Sequence, residues 1–249
     1  MSGHSKWATI KRKKGAADAR RSNEFAKLLR AVEVAAREGG GDVAANMTLA
    51  SAVEKARASS VPVDNIERAI ARGSGADAAG VRYEEVVYEG YAPGGIALVV
   101  EALTDNRNRT AQDVRHAFTR GNGNLSETGT TTWMFQRKGV LVVEKAVAPD
   151  EERLLEAALE GGAEDLRDAE SSWEIVTAPQ DFRAVQQALE AAGVPVLSAE
   201  ISMLPTTSIP VDGGEARQVL QLIEALEDLD DVQNVYANFD IPEEVMASL

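Results

Sequence analysis

Nine lysines and arginines fall within the first thirty residues: Lys6, Lys11, Arg12, Lys13, Lys14, Arg20, Arg21, Lys27 and Arg30. Fixed positive charge at this density suits the binding of phosphate. Each neutralised phosphate releases condensed counterions, so several such cations give an affinity that falls steeply with salt. Phosphate contacts position a protein but carry no base code, so these residues predict binding by charge and shape. Trp7 lies among them, and its ring has two uses: stacking on an unpaired base or packing on the neighbouring helices. His4 could touch a phosphate, although a single exposed histidine rarely does more.

A second basic island lies further along the chain. The run DNRNRT at 105–110 supplies Arg107 and Arg109, with Asn106 and Asn108 beside them and Arg115 and Arg120 following. It leads into a helix N-terminus, where free N–H groups and the helix dipole favour an anion. Arg107 and Arg109 could fork onto one phosphate. Pairing with Asp105 and Asp113, or capping of the helix by Asp105, is the competing reading.

Other chemistries have little to work with. There are no cysteines, so thiolate catalysis, disulfides and Cys-type zinc sites are excluded, which fits a reducing cytoplasm. His4 and His116 are the two histidines. No G-x-x-x-x-G-K-[ST] occurs, and GNGN at 121–124 lacks the rest of a dinucleotide fingerprint. No pair of carboxylates is singled out by spacing. The expectation is a protein that is no enzyme, with no metal and no cofactor. No apolar run approaches the roughly 20 residues of a membrane span, and no apolar stretch follows the basic start as in a secretory signal. A cytoplasmic protein without membrane or small-molecule partners is expected.

Charge is divided unevenly along the chain. Residues 1–75 hold 14 Lys or Arg against 8 Asp or Glu, a net of +6, while the whole chain carries -14. The acidic remainder repels the polyanion that the basic end attracts, so contact is confined to one region. The cluster Glu224, Glu227, Asp228, Asp230 and Asp231 reads as a solvated face, with Mg²⁺ or a basic protein as alternative partners.

The elements that carry these residues follow from periodicity. Residues 1–15 have no apolar period and read as a mobile arm. Phe25, Leu28, Leu29 and Val32 mark one face of a helix over about 17–38, with Arg20, Lys27, Arg30 and Arg37 on the opposite arc. Gly39–Gly41 stop it. A second helix at about 44–58 buries Leu49, Ala52, Val53 and Ala56. A third, opening at Pro62 and ending at Gly73, buries Val63, Ile66 and Ile70. The three suggest a small bundle, followed by the linker GSGADAAG at 73–80. Groove reading by the third helix is open, although DNIERAIAR offers few groups suited to base edges.

From residue 81 strands alternate with helices of about three turns, an α+β or α/β pattern. Residues 139–199 spell βαββαβ. With them removed, the flanks spell it again: 96–104, 109–121 and 131–136, then 200–210, 214–229 and 231–239. One such unit inserted in another is the economical reading, and tandem units are the alternative.

GHSKWATIK at 3–11, GGGD at 39–42, VYEGYAPGG at 87–95, LTDNRNRT at 103–110, VRHAF at 114–118 and LEDLDDVQNVYAN near the end resemble the YebC/PmpR family over essentially the whole chain. Its bacterial members are commonly called probable transcriptional regulators, and a mitochondrial relative is a translational activator of cytochrome c oxidase subunit I. Many relatives have His or Arg within the KRKK block where this chain has Lys13 and Lys14, which keeps the charge. The resemblance implies three domains, an N-terminal helical bundle and two α+β domains, one interrupting the other, and with the pattern above the expectation is an α+β, multidomain fold: an N-terminal three-helix bundle followed by two ferredoxin-like βαββαβ domains, one inserted in the other. The boundaries expected are 1–80, 81–136 with 200–249, and 137–199. It also implies no enzymatic activity and a role in gene expression through promoter DNA or the ribosome, where members are proposed to ease synthesis of proline-rich stretches. One flexible basic arm on an acidic body favours ribosomal RNA, whose folds offer phosphate clefts read by shape. A DNA-binding transcriptional regulator is the alternative.

Overall fold

The computed structural model describes residues 18–75, 82–148, 150–169, 171–211 and 213–241. They form two compact units, one of residues up to 128 together with 217–235, the other of 129–216 with 236 onward.

The first unit opens with the bundle: α1 (Asp18–Gly39), α2 (Met47–Ala58) and α3 (Val63–Ser74). Val32, Ala35 and Ala36 of α1 meet Leu49, Val53 and Ala56 of α2 and Ile66 and Ala69 of α3 in one buried core. Phe25, Leu28 and Leu29 pack against it, as the sequence period requires. Buried Asn46 joins the first two helices. Its side-chain oxygen caps α2 by accepting from the Leu49 N–H, while its amide donates to the carbonyls of Ala35 and Gly40. Two expectations fail in α3. Val63 is 52% exposed, because it stands at the helix start, outside the buried stripe. Gly73 lies inside the helix and does not end it. A Cβ there would overlap the Glu33 carbonyl oxygen, so glycine lets α3 lie against α1.

The same unit holds β1 (Glu84–Tyr91), β2 (Ala97–Thr104), α4 (Arg107–Arg120) and β3 (Asn124–Ser126). Pro93–Gly95 turn the chain between β1 and β2, with Gly94 and Gly95 at φ of 75° and 74°, a region costly to side chains. After the second unit the chain returns as α7 (Gly213–Glu227) and β9 (Val232–Ala237). The sheet order is β3-β1-β2-β9, with β1 antiparallel to both of its neighbours. Taking β2-α4-β3 as the first half and α7-β9 as the close, this is the ferredoxin-like order with β1 in the place of the third strand. That strand therefore comes from upstream, and not from 200–210 as the sequence suggested.

The second unit runs β4 (Phe135–Glu144), α5 (Glu151–Glu160), β5 (Ala163–Ala169), β6 (Ser172–Thr177), α6 (Phe182–Ala191) and β7 (Ser198–Pro205). Its antiparallel sheet has the order β5-β6-β4-β7, again ferredoxin-like. Leu141, Val143 and Ile175 pack under Leu154, Ala158, Val185 and Leu189 of the two helices. The registers Phe135↔Pro205 and Val142↔Ser198 bring β4 and β7 whole into this sheet. The boundaries read from sequence at 136/137 and 199/200 cut through both strands, since a change in composition does not reveal where a ladder ends. Ile209–Pro210 (β8) and Phe239–Asp240 (β10) form a short parallel pair.

Candidate nucleic-acid interface

Lys6, Trp7, Lys11, Arg12, Lys13 and Lys14 lie outside the described residues. Arg20 and Arg21 fall in the first turn of α1. From Asn23 onward the polar face of that helix has a definite partner, and it is protein. Asn23, Lys27 and Arg30, at i, i+4 and i+7, reach the turn after α7. The Asn23 amide donates to the Asp228 carbonyl at 3.0 Å, the Lys27 ammonium to the Glu227 carbonyl, and the Arg30 guanidinium to the Asp230 carbonyl at 3.0 Å. The last carbonyls of a helix are unpaired and carry its negative dipole end, so cations are favoured there. Arg30 also donates to the Leu103 carbonyl and lies 5.4 Å from the centre of the Tyr83 ring. Arg37, further along, pairs with Glu33, which also takes Arg72 from α3.

The sequence placed Lys27, Arg30 and Arg37 on an arc away from the bundle core, and that placement holds. It could not reveal that the Lys27 and Arg30 stretch of this arc meets a second partner. Their donors are committed to that contact.

The centre of the contact is Asp231, only 5% exposed. One carboxylate oxygen takes Arg30 at 2.9 Å. The other takes Arg109 at 2.7 Å and the Thr110 hydroxyl at 2.7 Å, with the Thr104 hydroxyl at 3.2 Å. The backbone of Asp231 accepts from the Leu103 N–H. Burial pushes its carboxyl up, but hydrogen bonds from Arg109 and Thr110 and the charges of Arg109 and Arg30 outweigh burial and leave it below the usual range. The same bond to Asp231, then that to Asp105, raises Arg109. The acidic run is therefore not a solvated face at Asp231. The reading missed this residue because its partners lie about 120 and 200 positions away. The available signal was an acidic turn closing a helix in a chain whose first helix is basic. Among the described residues no group of three or more histidines and carboxylates could hold a metal ion.

The second basic island divides. Asn106, not Asp105, caps α4 by accepting from the Arg109 N–H, while Asp105 pairs with Arg109 at 2.8 Å. Arg107 points the other way, 67% exposed, with Glu84 no nearer than 3.9 Å. Arg107 and Arg109 are thus not a fork for one phosphate. Burial raises the Tyr88 hydroxyl, against which the Arg107 charge works. Arg115 and Arg120 are exposed further along α4, and Arg120 lines a shallow groove with His116, Asn122, Gln218 and Gln221. On α3 the exposed face carries Asp64 and Glu67 next to Arg68, whose guanidinium bonds Asn65 and the Asp64 carbonyl. With Arg72 on the same helix, that face carries charge of both signs.

No helix among the described residues is long and apolar enough to cross a membrane. The sequence pattern described as the TACO1/YebC protein N-terminal domain matches residues 5–76, and that of the TACO1/YebC second and third domain matches 83–239. A protein of Rubrobacter xylanophilus named probable transcriptional regulatory protein is 57% identical over 249 residues, covering 100% of this chain and 99% of that one. A Geobacter sulfurreducens protein of the same name, GSU1074, is 54% identical over the full length of both. The crystal structure of a conserved hypothetical protein, Aq1575 of Aquifex aeolicus, superposes with a TM-score of 0.80 at 46% identity, covering 90% of this chain and 92% of that one. The bundle, the two ferredoxin-like sheets and the full-length matches together place this chain in the TACO1/YebC family.

Proposed function

We propose that this protein is a non-enzymatic, nucleic-acid-binding regulator of gene expression that grips phosphates with its N-terminal cations. The observation that carries the reading is the partition of charge: +6 over residues 1–75 in a chain of -14. Lys6, Lys11, Arg12, Lys13, Lys14, Arg20 and Arg21 are assigned to the backbone of the nucleic acid, Trp7 to an unpaired base, and Arg107 to a peripheral phosphate. Lys27, Arg30 and Arg109 are left out of that set because their donors bind protein. The relatives' name, probable transcriptional regulatory protein, supports DNA as the target. A second reading, a ribosome-associated translation factor on ribosomal RNA, draws on the mixed charge of the exposed α3 face, which leaves binding to cations that read phosphate and shape.

One comparison tests both. The full chain and a Lys11→Ala, Arg12→Ala, Lys13→Ala, Lys14→Ala variant are titrated against promoter duplex, scrambled duplex and ribosomal RNA, and their sedimentation with ribosomes is followed in lysate. Preference for promoter over scrambled duplex establishes the transcriptional reading. Co-sedimentation with ribosomes and no promoter preference establishes the other. Equal binding by the variant and the wild type overturns the role of the arm.

A further inference from the structure

Trp133 is the exposed aromatic that neither the bundle nor the Asp231 cluster uses. It stands in the turn Thr132–Met134 just before β4, with 70% of its surface in water. The ring is held in place there. Its indole N–H donates to the Thr130 carbonyl at 2.9 Å, and the Met134 N–H closes the turn on the Thr131 carbonyl at 2.9 Å. The Met134 carbonyl in turn accepts from both the N–H and the hydroxyl of Thr206, at 2.8 and 3.0 Å, which ties the turn to the loop after β7. Thr131 beneath is fully buried. A ring this large usually covers apolar surface, and here a hydrogen-bonded turn keeps its faces open.

The surroundings indicate what it binds. The loop hung on Met134 presents the exposed side chains of Thr207 and Ser208 next to Thr206. Arg137, four residues on and thus within about 14 Å of chain, is exposed on β4 and has no ion pair among the described residues. The other exposed large apolar residues of this unit, Val147, Leu155, Leu159, Leu197 and Ile201, lie elsewhere, on α5, in other loops or further along β7. Anchors of a protein interface cluster in well-packed, desolvated patches, and Trp133 has no other exposed large apolar residue in its turn. An indole with hydroxyls and an arginine suits an unpaired base and its phosphate.

We propose that Trp133 is a stacking platform for an unpaired nucleobase, with Arg137 neutralising a phosphate of the same strand. The inference rests on the nucleic-acid reading and adds a second contact, on the second compact unit, that selects single strands over duplex.

The test uses the full chain with a labelled single-stranded RNA, the matching single-stranded DNA, and their duplexes. Trp133→Ala is expected to weaken single-strand binding about 5- to 150-fold, the range for one lost stack, and to leave duplex binding unchanged. Trp133→Phe keeps a stacking ring and is expected to recover most of the loss. Quenching of tryptophan fluorescence by the oligonucleotide is expected to diminish in Trp133→Phe. The RNA and DNA arms tell which sugar the strand carries. Unchanged single-strand affinity in Trp133→Ala overturns the platform, and so does an equal loss for single strand and duplex. If the variant lacking the four arm cations also binds like the wild type, the broader reading fails separately, because those cations act on the phosphates of duplex and single strand alike.

Discussion

The two arginines at the start of α4 show how neighbours of one type take different roles. Arg107 and Arg109 are two positions apart, yet one is open to solvent and the other is bonded to two carboxylates. Arg107→Ala is therefore expected to weaken nucleic-acid binding and leave stability unchanged, whereas Arg109→Ala should lower stability with little change in affinity. Paired titration and denaturation curves check both. Asp231→Asn keeps the shape and removes the charge. Breaking a buried ion pair costs about 3–5 kcal/mol, and the partial exposure of Arg30 and Arg109 reduces this to about 2–3 kcal/mol. The pH dependence has a definite sign. The Asp231 carboxyl is depressed in the folded state, so its contribution is complete above its unfolded pKa of about 3.9 and is lost as pH falls toward the folded value. Denaturation curves below about pH 5 should fall less steeply for Asp231→Asn than for the wild type.

Among the elements, α1 has three faces with three duties. Phe25, Leu28, Leu29 and Val32 face the bundle. Asn23, Lys27 and Arg30 dock on the end of α7, and the carbonyl of Glu33 receives the backbone of α3 at Gly73. The apolar period revealed the first face, because a buried stripe must repeat every 3.6 residues. It could not reveal the second, because a polar arc looks the same in sequence whether water or a distant turn lies against it. Gly73→Ala tests the third. Overpacking costs about 1–3 kcal/mol, and the backbone oxygen in the way cannot rotate aside, so the upper part of that range is expected. A lowered melting temperature with unchanged helix content before the transition is the measurement.

For the whole molecule, the distribution of charge governs association more than its total does. The slope of log affinity against log salt is about -0.9 per phosphate contacted on duplex DNA. Removing Lys11, Arg12, Lys13 and Lys14 should flatten that slope by roughly 3 to 4. Arg30→Ala, by contrast, should leave it unchanged, because that guanidinium already faces Asp231. Salt titrations of the two variants side by side separate cations that meet the polyanion from cations that hold the fold.

The sequence alone determined the class of every helix, the alternation of helices with strands, the ferredoxin-like order of the second unit and the basic end, because periodicity, punctuation and net charge are local properties. Only the tertiary structure decided that β1 fills the third strand position, that β4 and β7 belong whole to one sheet, and that the acidic turn at Asp231 receives Arg30 and Arg109. Strand pairing and ion pairing join residues far apart in the chain, and what selects them is register and burial, which no short window of residues contains.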